Sequence, residues 1–391
     1  MTKRVTLKAW RHFLLSFWSS RQARAVGLAF SLCSWSFGSW VVHIPHVKTA
    51  LGLDDASLGW VLFGLPLGQL LINPLSGRIA GRFGPGRVTA AAALGTAFAL
   101  MLPIHTGSVY TLFGALMVFG ASMALLGMAM NACVPEVGIE GGYSIMAICH
   151  GLWSMGGMLS SALAGSLLQM GWTPQQHVWL ASGVMLTVLA YIAPVLWRLP
   201  VSRHDETARN GLARPTRALI LLILIGFFAL LSEGLAFDWS GVFLRDYRGA
   251  EPALAALGFT AFTMAMTIGR FAGDLLIARY GERRLLVVCS LVAAAGLTMA
   301  VLTPALWSSW LGFGIMGLGC SLTAPMLFSM SMRLPGVTPA AGLATFATFS
   351  FVAFLAGPPL IGLVANVVSL PAAMLGVAGL LLLGMALARQ L

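Results

Sequence analysis

A helix needs about 20 consecutive apolar residues to cross the ~30 Å hydrocarbon core of a bilayer, and runs of that length dominate this sequence. Twelve fall near residues 25–44, 58–77, 88–104, 110–132, 143–168, 178–197, 218–243, 254–277, 285–303, 307–330, 340–365 and 371–388. Charged residues make up only 9% of the 391, too few to cover a water-soluble protein of this length. No strand-like alternation of apolar and polar residues recurs, which argues against a barrel. Helices satisfy their own backbone groups in lipid. The expected fold is an all-α membrane protein of twelve transmembrane helices.

A net charge of +11 would suit a nucleic-acid binder, but the basic residues are placed for topology. With the N-terminus inside, the inner segments hold six of them in 1–24, three in 78–87, five in 198–217, four in 279–333, and Arg389. Only Lys48, Arg245 and Arg248 fall outside, and Arg270 lies within a span. This asymmetry puts both termini in the cytoplasm of a multi-pass inner-membrane protein. One inner loop, CVPEVGIEGGY, has no basic residue. The stretch FLLSFW near the N-terminus is too short for a signal-peptide core and is expected along the membrane surface. Cys33, Cys133, Cys149, Cys289 and Cys320 are widely spaced. Neither a disulfide framework nor a metal site is expected of them, and they read as packing residues.

One substantial polar linker, RLPVSRHDETARNGLARPTR at 198–217, divides the chain into six spans and six. A basic cytoplasmic segment, 1–24, precedes the N-terminal half at 25–197, and the C-terminal half fills 218–391. An offset of 197 residues aligns GRFGPGRV at 81–88 with ARYGERRL at 278–285. The same offset sets FGASMALLG of span four against MGLGCSLTA of span ten, and an offset of 200 matches Gly157 with Gly357. Two parallel six-helix repeats place a substrate site near the midplane between them.

These stretches carry a resemblance. GRIAGRFGPGR, between spans two and three, resembles the cytoplasmic loop motif of the major facilitator superfamily, with Gly81 where the motif has Asp. In the second half, GRFAGDLLIARYGERR keeps Arg270 and Asp274. The resemblance runs from about residue 25 to the end and implies the major facilitator fold, while the motif is silent on substrate. It also assigns this region to an inside gate. More narrowly, MAMNACVPEVG, SIMAICHGLWSMGG and EGLAFDWSGVFLRD resemble stretches of the fucose-permease-like branch and its uncharacterised inner-membrane relatives. In that branch fucose permease is a proton symporter with carboxylates in spans one and four. Here span one, AVGLAFSLCSWSFGSWVVH, has no acid, and Gly127 stands four residues before Asn131 where the span-four Glu would be. GLWSMGGMLSSALAG in span five has glycines without the proline usual in drug/proton antiporters of the superfamily.

Coupled transport needs an ionisable group whose state is linked to solute and conformation, and charges inside a membrane are functional by default. Span seven carries two, Glu233 and Asp238. Glu233 lies about 24 Å along the helix from Arg217, near the midplane, and reads as a proton or substrate-cation site. The bland alternative is a neutral carboxyl bonded to a neighbouring helix. Asp238 is rotated ~140° from it, so the two share no face unless Gly234 or Gly241 unwinds the helix. Asp238 reads as an outer-end acid paired with Arg245. His150 heads a stripe of Trp153, Ser154, Gly157 and Ser161, which suits either a titrating cavity or close helix packing. Asn131, a further cavity candidate, ends a small-residue stripe that is more often a helix-packing feature. Arg270 and Asp274, four residues apart on span eight, read as a self-neutralising gate pair, with Arg82, Arg279 and Glu136 in the gating loops. Trp35, Trp153 and Trp239 line a cavity or fill a core, whereas Trp40 and Trp60 read as interfacial anchors. LAGPPLIG in span eleven suggests a proline-broken helix.

No nucleophile–base pair, metal cluster or phosphate loop stands out, so neither an enzyme nor a cofactor is expected. The sequence reads as a monomeric secondary active transporter, moving a small organic solute by alternating access with protons as the coupling ion. Its partners are the solute, protons and the lipid bilayer, not nucleic acid. Two rivals stay open. Proton-driven efflux of amphiphilic compounds would show as lost resistance on deletion. A non-transporting receptor or assembly protein would show neither that nor solute-driven pH changes.

Overall fold

The computed structural model describes residues 15–137, 145–200, 213–214 and 216–391, without the side chains of Ala147, Asp274 and Ala340. Residues 1–14, the part of the CVPEVGIEGGY loop from 138, and 201–212 with 215 of the linker lie outside it. The described residues form helices and no strand.

Eleven helical stretches are long and apolar enough to cross a membrane. Spans one to four are Arg21–Ala50, Asp55–Phe83, Pro85–His105 and Val109–Cys133, and span six is Pro174–Leu196. Span seven is Arg217–Arg248, span eight Pro252–Tyr280 and span nine Glu282–Leu302. Spans ten to twelve are Leu306–Ser331, Pro339–Val367 and Leu370–Ala388. The fifth helix, Met146–Gln169, is also 24 residues long, but its His, Ser and Gly stripe dilutes its apolar character. It packs between spans one and eight and completes two six-helix halves.

Helix starts follow local chemistry. Ser20 accepts from the Ala23 N–H, and Ser108–Thr111 and Thr173–Gln176 form reciprocal caps, each satisfying donors that a helix leaves unpaired. The 197-residue repeat is also written in the backbone. Gly84 and Gly281 have φ of 91° and 77°, and their N–H groups donate to the carbonyls of Ala80 and Ile277. Any side chain is strained there, so each glycine lets one span end and the next begin at once. Beside them Arg82 and Arg279 lie over the Phe83 and Tyr280 rings, both at 5.4 Å.

The halves meet along two seams. Spans five and eight touch over most of their length, with Gly151 against the Phe271 ring and Gly165 against Ala253. Between these contacts Ser161 and Thr260 hydroxyls lie 2.9 Å apart. On the other seam, spans two and eleven meet backbone to backbone. A Cβ on Gly59 would sit 2.4 Å from the Pro358 carbonyl oxygen, and one on Gly362 would sit 2.4 Å from that of Asp55. This contact belongs to the first piece of span two, Asp55–Leu62; after Phe63 the second piece, Gly64–Phe83, hardly touches span eleven. The halves therefore close over the end opposite the chain termini, and on this seam they part toward the terminal end.

Two local expectations need correction, the broken span eleven and the interfacial Trp40. Span eleven runs unbroken through Pro358 and Pro359, since a proline removes one helix bond and bends the rod without having to end it. Span seven is the straight alternative, continuous for 32 residues through Gly234 and Gly241. Trp40 is a core residue, 1% exposed, whereas Trp60 is exposed. Phe17 of FLLSFW is fully buried beside Gly27 of span one.

Candidate functional site

One cation organises the middle of the bundle. Arg270 of span eight donates from Nη1 to Ser154 Oγ at 2.6 Å, and its guanidinium lies 5.7 Å from the Trp153 ring centroid. Both partners belong to span five, in the other half. Its Nη2 is 3.9 Å from Glu233 Oε1 on span seven. That is within ion-pair reach but beyond a hydrogen bond. A lone buried charge is strongly unfavourable, and here a dipole and an aromatic face from span five and a carboxylate from span seven hold the arginine. Ser154 Oγ in turn donates to the His150 carbonyl at 3.3 Å. The exposed His150 ring meets Phe30 of span one edge-on at 5.3 Å.

Arg270 has Glu233 as its carboxylate neighbour among the described residues, and the expected Arg270–Asp274 pair falls outside them. Arg270 lies ten residues from the helix end at Tyr280, about 15 Å deep, and its long side chain reaches toward the centre. The side chain of Asp274 lies outside the described residues.

Asp238 is half-buried and has no ion pair or hydrogen bond among the described residues. The pairing with Arg245 fails because seven residues separate them by about 10.5 Å along the axis, and Arg245 faces His46 instead. Trp35 Nε1 donates to the Ala181 carbonyl at 3.2 Å, tying span one to span six. Trp239 is fully buried, with its Nε1 unpartnered among the described residues. Asn131 donates to the Gly127 carbonyl of its own helix at 2.8 Å. Of the four cavity candidates, Trp153 alone joins Arg270. Glu136 is half-buried in the turn after span four, near Cys133. Arg82 and Arg279 are exposed at the terminal end.

Sequence spacing missed a second charged cluster. At the end opposite the termini, Lys48 Nζ lies 2.6 Å from Asp55 Oδ1 and 2.5 Å from Asp246 Oδ2. Asp55 belongs to the same half as Lys48 and Asp246 to the other, so the lysine bridges the halves beside the Gly59–Gly362 contact. Next to it Asp54 caps its helix by accepting from the Ser57 N–H at 2.7 Å. That bond, with the Ser57 hydroxyl, holds the Asp54 carboxyl below the usual carboxylate range. Nearby, His43 Nε2 and His177 Nδ1 lie 2.8 Å apart in a buried contact.

A family model described as Major Facilitator Superfamily matches residues 24–339. A chain described as an uncharacterised transporter of the same type, from Yersinia pestis, is 31% identical over 92% of each sequence. Among solved structures, the nucleoside transporter NupG superposes with a TM-score of 0.71 at 14% identity, covering 93% of this chain and 99% of that one. The fucose:proton symporter FucP of Escherichia coli superposes with a TM-score of 0.63 at 17% identity, covering 94% and 98%. At such identities the two structures speak for the fold alone.

Proposed function

The chain belongs to the major facilitator superfamily, and from that premise we propose that it is a proton-coupled secondary transporter of a small organic solute. It works by alternating access in the cytoplasmic membrane, with the terminal end in the cytoplasm. The observation that carries this reading is the Arg270–Glu233 pair, whose cation is also held by Ser154 and Trp153 of the opposite half. A proton arriving on Glu233 cancels its charge and weakens its hold on Arg270, so the contact between halves depends on protonation. Closure over the far end, with spans two and eleven parting toward the termini while spans five and eight stay in contact, fits a transporter that opens to the cytoplasm along the first of these seams. Proton symport has a precedent on this fold in the protein titled a fucose:proton symporter.

Glu233→Gln keeps the shape and a hydrogen-bonding group but removes the change of charge. In proteoliposomes the variant should fail to accumulate solute against a gradient while still exchanging it across the membrane. Undiminished pH-driven accumulation would move the coupling role elsewhere, with His150 next to test. The orientation rests on the basic residues of the inner segments. Labelling of Arg209→Cys by an impermeant reagent in intact cells would contradict it.

A further inference from the structure

We infer that the solute is a monocarboxylate, bound through its carboxylate by Arg270 together with one proton on Glu233; this rests on the transport reading above. A guanidinium presents five N–H donors in a planar fork that fits a carboxylate with two parallel hydrogen bonds. Arg270 commits one nitrogen, Nη1, to Ser154. No other hydrogen bond from its fork reaches a described residue, because Glu233 at 3.9 Å is an electrostatic neighbour and not an acceptor. The arginine is also the more reachable of the two, with 17% of its side chain exposed against 9% for Glu233. The Trp153 ring lies against the guanidinium and gives the site an apolar neighbour for the body of a small organic acid.

The surroundings decide what travels with it. Glu233 is faced by Arg270 from span eight and by the Cys320 thiol of span ten. Spans eleven and twelve, which flank span seven, contain no charged residue. The described group facing Arg270 from span five is His150; Asp274 is four residues further along span eight, its side chain outside the described residues. A carboxylate docked on Arg270 beside an ionised Glu233 would set two anions against one cation in a poorly solvated interior, which is unfavourable. A proton on Glu233 removes the second anion. One anion and one proton then bind together and cross without net charge. A cationic solute would meet the guanidinium's repulsion, and a neutral one would lack the charge that the guanidinium fork pairs with most strongly.

The test uses the purified full-length protein and probes that differ in one group: galactose against galacturonate, and benzyl alcohol against benzoate, with benzylamine as the cationic control. A carboxylate member should raise the unfolding temperature by mass action, more at acidic than at alkaline pH. Its neutral or amine partner should not. Arg270→Gln should weaken carboxylate binding by about tenfold or more. Should that variant fail to fold, Glu233→Gln carries the test: it should still bind the carboxylate, with the pH dependence gone. Equal stabilisation by the neutral or amine member, no stabilisation by either carboxylate, or carboxylate binding unchanged in Arg270→Gln would overturn the inference. A neutral solute that drives proton entry into proteoliposomes through Glu233 would remove the anion and leave proton-coupled transport standing.

Discussion

Two charged clusters tie the halves together, and they are built in opposite ways. Lys48 is gripped by two carboxylates at 2.6 and 2.5 Å, whereas Arg270 stands 3.9 Å from its one described carboxylate. The lysine is a compact charge on a flexible stem, near the end of the bundle, where each ion pair in contact with water is worth about 1 kcal/mol or less. Such a clasp closes tightly and reopens at modest cost. The arginine is a rigid fork in the interior, where removing a partner is costly, yet among the described residues only its Nη1 makes a hydrogen bond. Short distances mark the clasp; the long one marks the place where something else can bind.

The largest effect expected from breaking this contrast is that of Arg270→Gln. It strands Glu233 in the interior, a change worth about 3–5 kcal/mol if the carboxylate stays charged, and transport and solute binding should fall together. Transport lost with binding intact would return Arg270 to the gating role that its place on span eight first suggested. Lys48→Met comes next. A clasp worth 1–2 kcal/mol changes the ratio of closed to open forms by roughly five- to thirty-fold. Ser161→Cys, in a background without native cysteines, should then react faster with an impermeant maleimide applied from the far side. An unchanged rate would leave the Gly59–Gly362 contact as the sole seal.

Asp238→Asn sharpens the comparison from the other direction. Asp238 shares a helix with Glu233 but has no charged partner among the described residues, so transport should stay within roughly twofold of the parent. A loss as deep as that of Glu233→Gln would make Asp238 the coupling carboxylate. The smallest effect belongs to Asp54→Ala, which removes a helix cap beside the clasp and should cost about 1 kcal/mol. Because the Asp54 carboxyl is held below its ordinary range, the cap is fully present at neutral pH. Its contribution fades only as pH falls through that lowered value. The stability difference between parent and variant should therefore disappear in strong acid.

Most of the architecture was legible in one dimension, because apolar runs measure the bilayer and the 197-residue offset pairs Gly84 with Gly281. The site was half legible. Glu233 stood out as a carboxylate in an apolar run, and Arg270 as a cation in another. Spacing alone proposes neighbours on the same helix, and so it offered Asp274 to Arg270 and Arg245 to Asp238. The carboxylate described beside Arg270 lies on the preceding, antiparallel helix, which no spacing rule would propose. Lys48 and Asp246, separated by 198 residues, share no pattern that a sequence could display. Helical spacing likewise gave the angle between Glu233 and Asp238, but not which flank of an almost wholly apolar helix would face Arg270.

Span seven carries Glu233 at its middle and Asp246 near its far end, with no break between them. The interior pair and the far clasp therefore hang on one stiff rod. Thirteen residues separate them, roughly 20 Å at 1.5 Å per residue. A tilt of about 5° pivoting at Glu233 swings Asp246 through roughly 2 Å. Added to a contact of 2.5 Å, that travel is enough to pull the carboxylate out of ion-pair range of Lys48. Whatever shifts the lever at its fulcrum is felt at the lock, with no chain of intermediate contacts needed to carry the message.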